Sequence, residues 1–210
     1  MREILTAGTL LLLLFIFISA VTAAKVDFTA LLQEGGLEWT PPEDFSELPL
    51  QQSRLLPHEK RLLSADGLVE IRYAIRPLGR IEIVYDDPHS SAPAPNDLFE
   101  MLFRSISEAM AADSRPLSRA YLPQDAKREF NAGWASIAVF DIDSNTSKEF
   151  SQAMLITIHQ NDKADAYTLI LTNDLQQHKE RIKKLRNSLK FASFDSPINQ
   201  PGMAGQAKSQ

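Results

Sequence analysis

The chain between Phe130 and Phe194 contains three nearly continuous apolar runs, followed by a stripe of apolar positions at helical spacing. The runs cover residues 135–140, 153–158 and 167–172, and strands that are covered on both faces of a sheet have this character. The stripe then predicts a long amphipathic helix over residues 175–194, packed across the sheet. Its members are Leu175, His178, Ile182, Leu185 and Leu189.

Residues 69–76 alternate strictly between large apolar side chains and small or charged ones, which predicts a strand with one buried face and one face in water. Residues 76–79 have the proline and glycine of a tight turn, and the alternation resumes over residues 81–85. We therefore predict a β-hairpin here. The side chains predicted to face water in its first strand are Glu70, Arg72, Ala74 and Arg76.

Residues 97–110 have the apolar stripe of a further helix, and Asp97 with Glu100 fits a capping box at its start. The order of elements is then two or three strands, a helix, at least three strands and a closing helix. This order predicts an α+β domain with a mostly antiparallel sheet packed by two main helices, in the manner of an α/β/α sandwich.

The order of these elements resembles that of exported proteins of the PsbP/Mog1/DcrB type, which are α/β/α sandwiches. The resemblance covers residues 68–194 and includes the ending in which a strand over residues 167–171 leads into the closing helix. Residues 70–77 and 130–134 also look like segments of uncharacterised exported bacterial proteins. The resemblance transfers no catalytic residues, and it implies a non-enzymatic accessory or binding role.

Residues 1–24 have the three parts of a secretory signal peptide: a weakly positive start, an apolar run from Leu10 to Ile18, and small residues before a cleavage site at Ala23 or Ala24. The apolar run is far shorter than the ~20 residues that span a bilayer, which favours cleavage over an uncleaved anchor. The chain has no cysteine, so a secreted form must be stabilised by its core. We predict a protein that is exported to the periplasm, or secreted.

The predicted organisation has four parts. A signal peptide occupies residues 1–24, and an extended lead-in follows over residues 25–66. A single α+β domain covers residues 67–194, and a flexible tail rich in small and polar side chains covers residues 195–210. The pattern leaves the oligomeric state open.

The 210-residue chain has a formal net charge of −5, so it lacks the positive charge that drives binding to nucleic acid. The predicted closing helix is different, because six basic side chains accompany two acidic ones between Asp174 and Phe191. Such a helix can contact an anionic membrane surface or an acidic partner, although a solvated face that complements the helix dipole is the simpler interpretation. The basic residues predicted on one side of this helix are Lys179, Lys183, Arg186 and Lys190.

The sequence contains no recognisable catalytic, cofactor or metal motif. His58 and Glu59 begin like a zinc-protease motif, but Leu62 stands where the second histidine is needed. Residues 141–145 offer the first ligand positions of a calcium loop, but the glycine and the closing glutamate of that loop are replaced, so a hairpin loop is favoured. His89 and His159 have aspartates nearby and form a metal site only if they converge in space.

Arg72, Trp134 and His159 are the candidate pocket residues. Arg72 can bind a carboxylate, although pairing with Glu70 or Glu82 on its own sheet face is the simpler interpretation. Trp134 follows a glycine and can line a pocket, although core packing is favoured for a side chain of this size.

Three hypotheses about function remain. The first is a non-enzymatic module of the bacterial envelope that binds an envelope protein or a small ligand without a cofactor. The second is a hydrolase-like periplasmic enzyme that uses scattered groups such as His159, Asp162 and Arg72. The third is a peripheral membrane protein that attaches through its basic closing helix.

Overall fold

The computed structural model of the chain describes residues 27–81, 93–112 and 115–193. The predicted signal peptide, the predicted tail and His89 lie outside these ranges. Short 3-10 helices lie at Leu78–Arg80 and Pro95–Asp97. The remaining elements, in chain order, are α1 (Phe28–Glu34), β1 (Leu37–Trp39), β2 (Phe45–Glu47), β3 (Lys60–Ser64), β4 (Val69–Pro77), α2 (Phe99–Met110), β5 (Leu117–Ala120), α3 (Pro123–Phe130), β6 (Trp134–Asp141), β7 (Gln152–Gln160), β8 (Ala164–Thr172), α4 (Lys179–Leu185) and β9 (Leu189–Phe191).

A seven-stranded antiparallel sheet forms the centre of the fold, with the strand order β2-β3-β4-β8-β7-β6-β5. The strands β1 and β9 pair with each other in a separate antiparallel ribbon. The turn between β3 and β4 contains Asp66 and Gly67, and Gly67 has a φ of 72°, which glycine adopts without a steric penalty. The turn between β7 and β8 places Asp162 at a φ of 59°, which aspartate tolerates better than most residues.

Successive side chains point to opposite faces of a strand, and both faces of this sheet are buried. On the first face, Ile71 and Tyr73 of β4 belong to a core completed by α1, α3, α4 and the β1–β9 ribbon. On the second face, Leu155 and Tyr167 belong to a core completed by α2 and by the segments around Leu56. Helices therefore cover the sheet from both sides, and the predicted α+β class with a mostly antiparallel sheet is confirmed.

The three apolar runs form the strands β6, β7 and β8, as the sequence predicts. All nine residues of β8 are buried, because this strand lies between β4 and β7 with a core on either face. The helix predicted over residues 97–110 is α2, which begins at Phe99 after the short 3-10 helix Pro95–Asp97.

The prediction that one face of β4 lies in water is wrong. Glu70 is 1% exposed and Arg72 is 4% exposed, because the segment around Gln51 and the loop between β6 and β7 cover this part of the second face. The turn predicted at residues 76–79 is occupied by the end of β4 and the 3-10 helix Leu78–Arg80. Most of the second strand of the predicted hairpin lies outside the described residues, and β4 pairs with β3 and β8.

The prediction of one long closing helix is also wrong. The helix α4 has seven residues and ends at Leu185, and residues Leu189–Phe191 form a strand that pairs with β1. Residues 25–66, which the sequence predicts as a lead-in, contain α1 and the strands β1 to β3. A partner strand that is distant in sequence, Leu37–Trp39, draws residues 189–191 out of the helical pattern.

Candidate functional site

The three candidate pocket residues lie on the second face of the sheet, but the structure brings only two of them together. Trp134 and His159 are direct neighbours across β6 and β7. Arg72 is level with Leu169 of β8, whereas His159 is level with Asp165, four residues away along the same strand. This spacing separates Arg72 from His159 by about 13 Å along the strand direction.

His159 is 2% exposed and is held on several sides. Its Nδ1 lies 2.7 Å from Asp165 Oδ1, and its Nε2 lies 2.8 Å from Asn161 Oδ1. Its ring stacks on Phe99 at the start of α2, with 4.1 Å between centroids, and Phe99 also contacts Trp134 at 4.8 Å. With both ring nitrogens facing oxygens, the imidazolium form can donate two hydrogen bonds, to β8 and to the β7–β8 turn, while the stacked ring packs the start of α2 against the sheet.

Burial alone would lower the pKa of His159, but the hydrogen bonds to Asp165 and Asn161 and the negative charge of Asp162 raise it above its ordinary value. A raised pKa in the folded state means that this group stabilises the fold fully below about pH 6.5, and that the contribution is lost as the pH rises through the higher folded-state pKa. His58 is the opposite case, because burial lowers its pKa and its Nε2 has no partner among the described residues.

We therefore expect the Tm difference between the wild type and His159→Gln to be largest in acid and to shrink as the pH rises. Thermal unfolding between about pH 5 and pH 9 measures this trend. For the matched variant His58→Gln, the Tm relative to the wild type should rise as the pH falls. The wild-type imidazole opposes folding increasingly below about pH 6.5, and the variant lacks this effect. A Tm difference for His159→Gln that stays constant across this range would contradict the assignment.

The basic residues predicted on one side of the closing helix do not form a continuous surface. Lys179 and Lys183 are exposed on α4, but Arg186 lies beyond the end of that helix, 3.2 Å from Glu129. Lys190 belongs to β9, and its Nζ lies 3.5 Å from Glu38. Within the described ranges, no helix is both long and apolar enough to cross a membrane.

In residues 141–145, Asp141 ends β6, Ile142 forms a β-bridge with Ala111, and a turn begins at Ser144. The side chain of Asp143 accepts a hydrogen bond from the backbone N–H of Asn145 at 2.7 Å, as aspartates in turns commonly do. In the part of the chain that the structure describes, no group of three or more histidines and carboxylates is arranged to hold a metal ion. Whether His89 approaches His159 lies outside the described residues.

A buried ion cluster surrounds Arg72, in which Arg72 pairs with Glu70 as the sequence predicts, and Arg61 is a further member that the sequence analysis does not include. Glu70 Oε1 accepts hydrogen bonds from Arg72 Nε at 2.6 Å and from Arg61 Nε at 2.8 Å. Glu70 Oε2 accepts a third from Arg61 Nη2 at 2.7 Å. Arg61 and Arg72 are direct neighbours across β3 and β4, so one carboxylate lies between two guanidinium groups and the cluster has a net charge of +1.

The pKa of Glu70 reflects this environment. Burial alone would raise it, but the hydrogen bond from Arg61 and the charge of Arg72 outweigh burial, so the pKa of Glu70 lies below its ordinary value. The hydrogen bond to Glu70 raises the pKa of Arg61. The carboxylate is therefore ionised at neutral pH, and it neutralises only one of the two arginines.

An open cleft of 630 Å³ lies above this cluster, and we call it the arginine cleft. Its walls are residues 51–55 on one side and residues 144–149 of the β6–β7 loop on the other, with Arg61 and Arg72 at its base. Arg72 Nη2 donates to Gln51 Oε1 at 3.2 Å, and Arg72 Nη1 donates to the carbonyl oxygen of Thr146 at 3.3 Å. Arg54 and Lys148 add two exposed positive charges to the lining, and Glu149 adds one exposed negative charge.

Two other clefts among the described residues are not built on a buried ion cluster. The larger, of 830 Å³, lies between residues 40–45 and α4, where Asp66 and Arg181 neutralise one another through hydrogen bonds of 3.0 and 2.8 Å. The smaller, of 480 Å³, lies between α2 and the strands β5 and β6, with Trp134 in its lining. Neither has a buried ion cluster of net positive charge at its base among the described residues, and this feature distinguishes the arginine cleft.

Among the comparisons with known proteins, only the one with solved structures found a similarity. No family model matches the chain, and a search of curated proteins found no match. Among solved structures, the chain is similar to cyanobacterial PsbP (CyanoP) from Synechocystis sp. PCC 6803, with a TM-score of 0.40 and 10% sequence identity. The match covers 75% of this chain and 88% of that chain. The resemblance to PsbP-type proteins is therefore confirmed as a weak likeness of fold alone.

Proposed function

We propose that this chain is an exported, non-enzymatic binding module of the bacterial envelope that holds a small anionic ligand in the arginine cleft. The observation that carries the proposal is the buried cluster of Arg61, Glu70 and Arg72, which has a net charge of +1 beneath an open cleft whose other charged side chains are two cations and Glu149. The signal-peptide pattern of residues 1–24 supports the export.

The geometry of the cluster favours an anion over a neutral ligand. Like charges directly opposite each other on neighbouring strands are destabilising, and Glu70 removes this repulsion only in part. The carboxylate binds the Nε sides of both arginines, so the Nη groups of Arg72 remain directed at neutral oxygen atoms of the cleft walls. A carboxylate or phosphate oxygen is a stronger acceptor for these groups than an amide or a carbonyl oxygen.

The lining of the arginine cleft supports binding and offers little for catalysis. No histidine or cysteine is among the described residues that line it. The hydroxyl of Ser53 accepts a hydrogen bond from the N–H of Leu56, and that of Ser147 accepts from Glu149 and Phe150, so both serve the local turns. A hydrolase needs a nucleophile beside a positioned base, and neither hydroxyl is hydrogen-bonded to a histidine or a carboxylate among the described residues.

In the hydrolase alternative, Arg72 lies apart from His159 and Asp162. His159 uses both ring nitrogens in hydrogen bonds, and Asp162 is bound by Asn96 through bonds of 2.8 and 3.0 Å. Arg72 lies about 13 Å away from His159 along the strand direction. These positions argue against a shared catalytic centre.

Thermal unfolding in the presence of simple anions tests the proposal. At constant ionic strength, phosphate or citrate at about ten times its Kd should raise the free energy of unfolding by about 1.4 kcal/mol and the Tm by about 3–6 °C. The double variant Arg54→Gln/Lys148→Gln should show a smaller rise, because it removes two exposed positive charges from the arginine cleft.

The matched control is Lys179→Gln/Lys183→Gln, which removes two exposed charges from α4, away from the cleft, and should respond to anions as the wild type does. If no anion raises the Tm, or if both double variants lose the same part of the rise, the proposed site is wrong. In the second case, the anion effect would reflect the overall charge of the protein.

A further inference from the structure

We infer that the ligand of the arginine cleft is an acidic carbohydrate, a molecule with several hydroxyl groups and one carboxylate or phosphate group. This inference rests on the proposed function and specifies the chemistry of the same site. Three properties of the cleft carry it: its volume, the character of its walls and the position of its charge.

The volume of the cleft exceeds what a simple anion requires. At 630 Å³ it falls within the range of about 300–1,000 Å³ that is usual for small-molecule sites. An inorganic phosphate or an acetate would contact the base of such a cleft and leave its walls unused. The body of the ligand must therefore extend from the anionic group along residues 51–55 and 144–149.

Most side chains that line the cleft are of polar type, whereas small-molecule sites are usually lined by apolar and aromatic ones. Leu55 is the only large apolar side chain among the described lining residues. Amide and hydroxyl side chains can both donate and accept hydrogen bonds, as a sugar hydroxyl does, so they are suited to a ligand with many hydroxyl groups. Side chains of this kind in the walls are Gln51, Gln52, Ser144 and Asn145, together with Ser53 and Ser147, whose hydroxyls accept hydrogen bonds in the local turns and can still donate.

The positive charge fixes the orientation of the ligand. The hydrogen bonds from Arg72 to Gln51 and Thr146 are 3.2 and 3.3 Å long, whereas its bond to Glu70 is 2.6 Å. The two long bonds end on neutral oxygens, and the side chain of Gln51 is exposed and can turn aside. The acidic group of the ligand would take these Nη donors, and its hydroxyl groups would then lie between the two walls.

Calorimetric titration of the purified wild-type protein with glucuronate, glucose 6-phosphate, glucose, acetate and inorganic phosphate tests the inference. At least one of the two sugar acids should bind about tenfold more tightly than the simple anion with the same acidic group, since one or two hydrogen bonds to hydroxyl groups contribute this much. Glucose, which lacks the charge, should bind far more weakly than that sugar acid. A preference for glucuronate or for glucose 6-phosphate then identifies the acidic group as carboxylate or phosphate.

A double variant in the walls separates this inference from the proposed function. Gln52→Ala/Ser144→Ala removes two exposed polar side chains that make no hydrogen bonds to the buried cluster. It should weaken the binding of the sugar acid about tenfold and leave the binding of inorganic phosphate unchanged. The matched control, Gln124→Ala/Ser118→Ala, alters an exposed amide and an exposed hydroxyl on α3 and β5 and should change neither affinity.

Each result supports or overturns a defined statement. If simple anions bind as tightly as both sugar acids, or if the wall variant weakens all anions equally, the carbohydrate inference is wrong and the anion site remains. If glucose binds as tightly as the sugar acids, the role of the positive charge is wrong as well. If none of the anions binds, both the inference and the proposed function fail.

Discussion

Glu70→Ala is expected to lower the free energy of unfolding by about 3–5 kcal/mol, because removing one partner of a buried ion cluster leaves its other charges uncompensated. Arg61 and Arg72 would then lie opposite each other across β3 and β4 with no carboxylate between them. Urea denaturation at neutral pH measures the loss. Phosphate should stabilise this variant more than it stabilises the wild type, since an anion can occupy the position of the missing carboxylate.

The matched comparison is Arg72→Met, which removes one arginine and leaves Glu70 bound by Arg61 through bonds of 2.8 and 2.7 Å. Because no charge is left without a partner, this change should cost about 1–2 kcal/mol. A Glu70→Ala variant that loses no more than Arg72→Met would show that water in the cleft already solvates the guanidinium groups. In that case the positive charge at the base of the cleft would be too weak to select an anion.

The central strands could be predicted from the sequence because a strand that is buried on both faces has apolar residues at nearly every position. β7 and β8 lie between other strands and have a core on either face, so their residues are apolar on both sides. The burial of the second face of β4 is harder to predict, because an alternating pattern also arises when charged side chains are buried in pairs. Glu70 and Arg72 alternate with apolar residues as surface side chains would, yet both are buried.

The hairpin of β3 and β4 has a local signal in the sequence, at the turn between the two strands. Asp66 and Gly67 form one of the strongest short-range hairpin signals, and in the structure Gly67 has the positive φ that this turn requires. The proline and glycine of residues 76–79, which also predict a turn, lie in β4 and in the 3-10 helix after it. A hairpin with its turn at Asp66 and Gly67 places Arg61 opposite Arg72. The sequence therefore contains the signal that brings the two arginines of the ion cluster together.

The rest of the arginine cleft could not be predicted in this way. Arg72 contacts Gln51, which is 21 residues away in the chain, and Thr146, which is 74 residues away. Contacts of this range depend on the strand order, in which β4 lies beside β8 and not beside β6. Polar loops such as residues 51–55 and 144–149 have no periodic pattern that indicates what they face.

The second large effect on stability is expected at Phe191 in β9, because a helix and a strand at residues 189–191 predict different losses when this side chain is removed. In the structure Phe191 is 1% exposed and belongs to the core of the first face, as part of the strand β9 that pairs with β1. Phe191→Ala should therefore lower the free energy of unfolding by about 3–5 kcal/mol in urea denaturation. Lys190→Ala on the same strand removes only an exposed ion pair with Glu38 and should cost less than about 1 kcal/mol. Equal and small losses for the two variants would mean that residues 189–191 lie at the loosely packed end of a helix, as the sequence pattern first indicated.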